Sequence, residues 1–451
     1  MKADEAADRF DEVLSARIDQ LGSQSSASEL MGRDRSYLRK QLLFYGIRVH
    51  DALGGLEVLR DPLPEEVFYT AFCQPGTDPA VYLESAREPQ QAAPDPFFRR
   101  MAPRLAALAA AGASPGGEWE SRAGKIGELE RLRRQDRRLA REGLEQLLAA
   151  MVERLETADQ RPRKALGELA SALGALASLQ RYAGRRGDAL DLLLAAWPCC
   201  LQAGDFAAEG DWLVKAALLL VDLNRNARAY KFVLEASRRY FLAGATAKQA
   251  KAIVTRAYVL THAGKHAKSK AILFQVLPLL HENQVEVRYF AHQTLAKNFR
   301  ELGELAEACE HLSIAVGLTG DDTMALASSL WDRATLLGRL GDVSGAIASY
   351  HEALPLLAKL TGAAELGELA MEYARLLFTE GRRPELLALA ADLSAWIQEL
   401  RGTSKLRAII ENFAALIELN RLSEEALQKI MKRIQGARVG ATVALTEVPS
   451  A

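Results

Sequence analysis

Cysteine is scarce in this chain, with 4 in 451 residues. Cys199 and Cys200 are neighbours, Cys73 and Cys309 stand alone, and no C-x-x-C pair occurs. A disulfide scaffold is thereby excluded, and a reducing cytoplasm is the expected setting. Charge of one sign is also missing: 57 Lys and Arg balance 58 Asp and Glu, for a net charge of −1. A uniformly basic nucleic-acid coat is excluded, so any nucleic-acid contact must be a local patch. No uninterrupted apolar run reaches about 18 residues, so neither a membrane span nor a membrane partner is expected. Met1 to Arg17 is acidic and amphipathic and lacks an apolar signal core.

Catalytic signatures are lacking as well. No phosphate-binding G-x-x-x-x-G-K-[ST] loop occurs, since Gly264-Lys265 has no partner glycine. His281-Glu282 is not followed by the second histidine of a zinc-protease helix. His262 and His266 are four apart but straddle the turn at Gly264, so they share no helical face. Cys199 and Cys200 read as packing residues. The chain is therefore read as a non-enzyme with no cofactor and no metal.

What is present is helix. Apolar residues make up 49% and charged residues 25%, and the long Ala/Leu-rich stretches contain few β-branched runs. A repeat dominates them. Ala177, Ala217, Ala257, Ala296, Ala334, Ala374 and Ala414 follow one another at 40, 40, 39, 38, 40 and 40 residues. Seven residues after each comes a turn position: Gly184, Asn224, Gly264, Gly303, Gly341, Gly381 and Arg421. Glycine, and after it asparagine, suits the left-handed end of a helix. Five residues further stand Ala189, Ala229, Ser269, Ala308, Ala346, Leu386 and Ala426. Two antiparallel helices joined by a tight turn approach closely there, and small side chains on both allow it. A single pair cannot bury its apolar face, so pairs must stack.

The unit from Ala334 to Leu354, with Gly341-Asp342, Ala346-Ile347, Tyr350 and Ala353-Leu354, resembles the tetratricopeptide repeat. The unit of Gly303, Ala308, Leu312 and Ala315 is similar. The period here is near 40 rather than the usual ~34, a length that resembles the sensor regions of bacterial regulators. The resemblance implies an α-solenoid over Arg163 to Gly436, with the first helix of each hairpin lining a concave face.

Residues 8–72 differ in character. Asp8–Leu21 is amphipathic, Ser25–Met31 reads as a short helix ending at Gly32, and Asp34 can cap the next helix, Arg35–Leu43. Val49–Leu59 and Pro64–Phe72 follow. The block from Ser23 through Gly32 to Leu38 resembles the lambda-repressor/Cro type of helix-turn-helix domain. That resemblance implies DNA contacts from Gln24, Arg33, Arg35, Ser36, Tyr37, Arg39 and Lys40, on or beside the recognition helix. Ala27 and Ser28 depart from the family pattern, and the connection Phe44-Tyr45-Gly46-Ile47 is unusually apolar. Residues 33–48 carry Arg33, Arg35, Arg39, Lys40 and Arg48 against Asp34, a local sum of +4. Residues 1–70 as a whole carry nine Lys and Arg against thirteen Asp and Glu, a sum of −4. Because phosphate neutralisation dominates DNA affinity, solitary binding should be weak. A homodimer placing two recognition helices about 34 Å apart would strengthen it.

Residues 73–118 are rich in proline and glycine and read as a linker, within which Phe97–Ala111 can form a short helix that is expected to dock on one neighbour through Phe97, Phe98 and Met101. Glu118 to about Thr157 reads as long helix with a break near Gly143. Arg131, Arg133, Arg134, Arg137, Arg138 and Arg141 crowd into it. They read either as a solvated face paired with Glu130, Asp136 and Glu142, the preferred reading, or as a phosphate contact or dimerising helix.

These readings make an all-α protein: a small N-terminal helix-turn-helix domain over 1–72, a linker over 73–117, a connecting and capping helix over 118–160, an α-solenoid of about seven helical hairpins over 161–436, and a disordered tail over 437–451. On the concave face, Tyr258, Gln293, Lys297, Arg300, Trp331 and Arg375 are expected to hold a peptide or protein partner, such as an extended acidic peptide. Thr261, Met371 and Phe378 are expected on the same face. The implied function is a cytoplasmic transcription regulator that binds double-stranded DNA and senses a peptide or protein. The alternative is a scaffold or adaptor that binds no DNA.

Overall fold

A computed structural model describes residues 78–84, 86–87, 95–114, 118–133, 136–360, 363–397 and 404–444. The described residues are helical throughout, with no strand among them. No described helix is long and apolar enough to cross a membrane. They form two compact units. The first runs to Thr294, apart from 91–93 and 134–136, and the second takes the rest from Leu295.

In the first unit, α1 (Pro79–Glu84), α2 (Pro96–Ala111), α3 (Ala123–Leu132) and α4 (Arg137–Thr157) precede a run of near-equal helices. That run is α5 (Arg163–Tyr182), α6 (Arg186–Ala203), α7 (Phe206–Asp222), α8 (Asn226–Leu242), α9 (Thr246–His262) and α10 (His266–Val276). The helix α11 (Val285–Glu301) passes from the first unit into the second. The second unit continues with α12 (Leu305–Gly317), α13 (Thr323–Leu340), α14 (Val343–Leu360), α15 (Ala363–Thr379), α16 (Arg383–Trp396), α17 (Ser404–Glu418) and α18 (Glu424–Ala444). Within each unit most successive helices of these runs pack on one another, which makes the arrangement repeat-like.

The alanine spacing marks where the helices meet. All seven alanines are buried, none more than 3% exposed. Gly184, Gly264, Gly303, Gly341 and Gly381 adopt positive φ, as does Asn224 at 56°. At the last hairpin the left-handed residue is Asn420 (φ 55°) and not Arg421. Asparagine tolerates that region better than arginine, so the helix ends one residue early. The partner position shifts too: Leu427 is fully buried while Ala426 is only half-buried. Ser269, which departs from the small apolar pattern, is fully buried. Its Oγ donates to the carbonyl of Ala257 at 2.7 Å and lies 2.9 Å from Thr261 Oγ1, so the close approach itself satisfies the hydroxyl.

The first unit holds a second series of turns that the alanine spacing does not reveal. Gly204 and Gly244 also have positive φ, and they end the second helices of their hairpins. A left-handed turn thus falls at 184, 204, 224, 244 and 264, one every 20 residues. Asp205 then caps α7, its Oδ1 accepting from the backbone N–H groups of Ala207 (2.8 Å) and Ala208 (3.3 Å).

The proline-rich stretch expected as linker is partly docked structure. Asp95 caps α2 through the Phe97 N–H at 2.8 Å, and Leu83, Phe97, Met101, Leu105 and Leu108 are buried in the first unit's core. Arg141 clamps Asp95 at 2.5 Å. α3 ends at Leu132 and α4 begins at Arg137, and Gly143 lies inside α4. A Cβ on Gly143 would stand 2.5 Å from Leu129 Cδ2, so the glycine lets α3 lie close over α4 and does not end a helix. The tail also differs from expectation. α18 continues to Ala444, and 445–451 lie outside the described residues.

Each unit has its own core. In the first, the rings of Trp197 and Trp212 meet at 4.4 Å with a 38° tilt, Trp212 lies 6.1 Å from Phe232, and the Trp212 indole donates to the Leu193 carbonyl at 2.7 Å. Cys199 and Cys200 are buried in this core, where loss of water pushes the Cys199 thiol up to about 12. In the second, Tyr350 stacks on Tyr373 at 5.2 Å, and Phe413 is fully buried.

Candidate functional site

The residues assigned to DNA contact, Gln24, Arg33, Arg35, Ser36, Tyr37, Arg39 and Lys40, lie outside the described residues. The six assigned to a partner lie on the first helices of their hairpins, in both units.

In the first unit, Tyr258 on α9 packs against the rings of His262 (4.4 Å) and Phe290 (4.9 Å), and burial pushes its phenol up to about 12. Gln293 on α11 donates to the Tyr289 hydroxyl at 3.2 Å. In the second unit, Arg300 pairs with Glu301 at 3.1 Å and faces Asp332 at 3.9 Å. Lys297 stands beside them. Burial and then the Arg300 charge hold its ammonium below its ordinary value. The Trp331 indole donates to Glu372 at 2.7 Å, and Thr335 donates to the same carboxylate at 3.2 Å. Arg375 pairs with Glu424 at 2.6 Å. Arg300 and Arg375 are thus engaged with carboxylates of the same unit, and any acidic ligand must compete for them.

Two of the other residues expected on this face are interior. Thr261 is 2% exposed and donates to the Ala257 carbonyl at 3.1 Å, while Met371 is 1% exposed. Thr261 faces Ser269 on the second helix of its own hairpin, 2.9 Å between the hydroxyls, and Met371 belongs to the second unit's core. Phe378 is exposed.

The first unit gathers charge in two further places. One is a pocket of about 370 Å³ between α3, α5 and α7, walled by Glu130, Lys164, Glu168, Asp211, Trp212, Lys215 and Lys248. Most of its charges are committed. Glu168 accepts from the Trp119 indole (2.9 Å), the Ser121 hydroxyl (2.5 Å) and the Arg122 N–H (2.7 Å). Against the rise that burial alone would cause, those donors hold its carboxyl below its ordinary value. Lys248 pairs with Asp211 at 2.6 Å, and Lys215 with Glu130 at 3.7 Å. The pocket is lined by interhelical ion pairs that join α3 to α7 and α7 to α9.

The other place is the C-terminal end of α5. Tyr182 is 46% exposed, and three guanidinium groups lie over its ring: Arg181 at 4.4 Å, Arg133 at 5.2 Å and Arg137 at 5.3 Å from the centroid. Arg181 also reaches Asp222 at the end of α7, at 3.1 Å. Burial pushes the Tyr182 phenol up, but Arg181, Arg133 and Arg137 together draw it below its ordinary value. Arg181 lies in the field of Tyr258 as well, so this cluster adjoins one of the expected partner residues.

The parts of this cluster are visible in the sequence, but their meeting is not. The crowd of arginines between 131 and 141 reads mainly as locally paired, and Arg138 does pair with Glu142 at 2.7 Å. Arg133 and Arg137 also lie over the Tyr182 ring. Nothing in the sequence joins them to it.

No family model matches this chain. No curated protein matches it either. Among the described residues no group of His, Cys, Asp and Glu side chains could hold a metal ion.

Proposed function

We propose that this protein is a DNA-binding transcription regulator. In this reading residues 1–72 hold double-stranded DNA through Arg33, Arg35, Arg39 and Lys40. The stacked hairpins of 161–436 form a tetratricopeptide-like solenoid that receives a peptide or protein. The observation that carries it is the joining of two parts in one chain: a block resembling a helix-turn-helix, with a local charge of +4 in residues 33–48, and a long array of hairpins. Arrays of this kind present extended surfaces suited to peptides. Ligand binding would alter how the hairpins stack and so the placement of the DNA-binding heads in a dimer.

The test is a mobility-shift titration of the full-length protein on genomic fragments from upstream of its own gene, at several salt concentrations. Arg39→Ala with Lys40→Ala should weaken binding by a factor of ten or more and flatten the salt dependence, since two phosphate or base contacts are lost. Binding unchanged by this pair rejects the assigned recognition helix.

A specific observation favours a second reading, a scaffold or adaptor. Residues 1–70 sum to −4, which opposes DNA affinity. If the full chain shows no DNA binding above the nonspecific level at low salt, and still holds a protein partner through 163–436, the adaptor reading replaces the first.

A further inference from the structure

We propose that the recess between α3, α5 and α7 in the first unit binds a small carboxylic acid. Lys215 and Lys251 hold its carboxylate, and its apolar body lies on the short side chains of the wall. This goes beyond the peptide-sensing reading and stands without it.

The recess holds about 370 Å³, a volume suited to a small molecule. Ala170, Ala203 and Ala208 line it with short side chains, and Ile126 stands beside them. They offer apolar surface that a ligand can cover. Cations come to the same wall from three helices: Arg163 and Lys164 at the start of α5, Lys215 on α7 and Lys248 on α9. Lys251 follows Lys248 by about one turn and lies in the field of Asp211, Lys215 and Glu130.

The protein satisfies only some of these cations. Lys248 pairs with Asp211 at 2.6 Å. Lys215 reaches Glu130 only at 3.7 Å, too far for a hydrogen bond, so its three N–H donors stay open. A Cβ on Gly174 would stand 2.9 Å from Lys215 Nζ, so the glycine gives that ammonium its seat on the wall. Among the described residues the Lys251 ammonium has neither an ion pair nor a hydrogen bond. Water touches Lys251, yet desolvation by the surrounding protein holds its ammonium below its ordinary value. A group that is exposed and still desolvated stands in a concave place.

Charge selects the class of ligand. On the wall, Arg163, Lys164, Lys215 and Lys248 are balanced by Glu130, Glu168, Asp205 and Asp211. Lys251 adds one positive charge, which suits a single carboxylate. A phosphoryl group, at about −1.5 to −2, would bring surplus charge against Glu130 and Asp211. A neutral ligand would displace water from Lys215 and Lys251 and give their donors no charged acceptor.

The experiment titrates the full-length protein by calorimetry at neutral pH with octanoate, octanamide, acetate and octyl phosphate, all below micelle-forming concentrations. One saturable octanoate site is expected, at least tenfold tighter than any of the other three. Against acetate the gain comes from the chain, since each buried methylene contributes about fourfold. Lys215→Met with Lys251→Met keeps both stems, removes both charges and should weaken octanoate tenfold or more. Ser171→Trp fills the recess from an exposed position on its wall. It should abolish octanoate binding and leave the unfolding midpoint unchanged, so it carries the test if the lysine pair fails to fold.

Three results overturn the site: no saturable octanoate binding, octanamide or octyl phosphate binding as tightly as octanoate, or octanoate affinity unchanged in either variant while it stays folded. A short peptide ending in a free Leu-Leu carboxylate is titrated alongside. If it binds more tightly than octanoate, a chain terminus replaces the small acid and the assignment falls.

Discussion

At the scale of single residues, Gly210 in α7 is closely constrained by a fixed core ring. A Cβ there would stand 2.6 Å from Cε1 and 2.7 Å from Cδ1 of Tyr240, whose ring is fully buried and whose hydroxyl donates to Asp211 at 2.8 Å. The ring is held at both ends and cannot swing away. Alanine favours a helix over glycine by up to about 1 kcal/mol, but overpacking a fixed core ring costs about 1–3 kcal/mol. Gly210→Ala should therefore destabilise the protein by about 1–2 kcal/mol, read as a lower denaturant midpoint. A rise in the midpoint would mean the ring has somewhere to go. His311 gives a pH signature. It stacks on Phe299 at 5.2 Å, and burial lowers its pKa below the ordinary 6.5, with Glu310 pulling the other way. The unfolded chain then takes up this proton more readily than the folded one. Stability from this group is present above pH 6.5 and declines as the pH falls from there towards the native pKa. A proton NMR titration should place the His311 midpoint below 6.5, and His311→Phe should shallow the acid limb of the stability profile. A midpoint above that value would contradict the assignment.

At the scale of helices and turns, the left-handed positions decide where each element stops. Asn224 (φ 56°) holds the place that glycine takes at Gly184, Gly264, Gly303, Gly341 and Gly381. A non-glycine L-residue in that region carries a cost of about 1–2 kcal/mol, which asparagine partly relieves. Asn224→Gly should raise stability by a few tenths to ~1 kcal/mol, and Asn224→Val should lower it by about 1–2 kcal/mol. Thermal unfolding of the two variants should move in opposite directions, and shifts of the same sign would show that something other than φ governs the turn. Turn chemistry of this kind is legible in a sequence because it is local. The alanine ladder and its glycines located the hairpins from Arg163 onward, and Asn420 could have been preferred to Arg421 by the same rule. Gly204 and Gly244 were equally legible but belong to a second series that a single ruler skips.

At the scale of the whole molecule, the fold class and the hairpin order follow from the repeat, while the candidate site does not. Period and small residues report which helices touch. They say little about which surface charges are already paired, since that depends on side chains from hairpins some forty residues away. Arg375 finds Glu424 and Arg181 finds Asp222 across such distances. The cluster on Tyr182 is hidden for a further reason, because Arg133 and Arg137 come from outside the repeat. That α2 docks is legible in Phe97, Phe98 and Met101, and Phe97 and Met101 are buried, but the surface it docks onto is not, since proline and glycine counts describe how often a chain bends and not what it bends onto.

The even placement of left-handed turns through the first unit constrains how this chain can vary in length. One extra residue inside α7 would swing everything after it by about 100° around the helix axis and carry Ala217 off its neighbour. A whole added pair of helices, spliced between Gly204 and Gly244, would preserve every facing. Growth or shrinkage by complete hairpins is thus tolerated where a single-codon insertion is not, and lengths in related chains should cluster in steps of one hairpin.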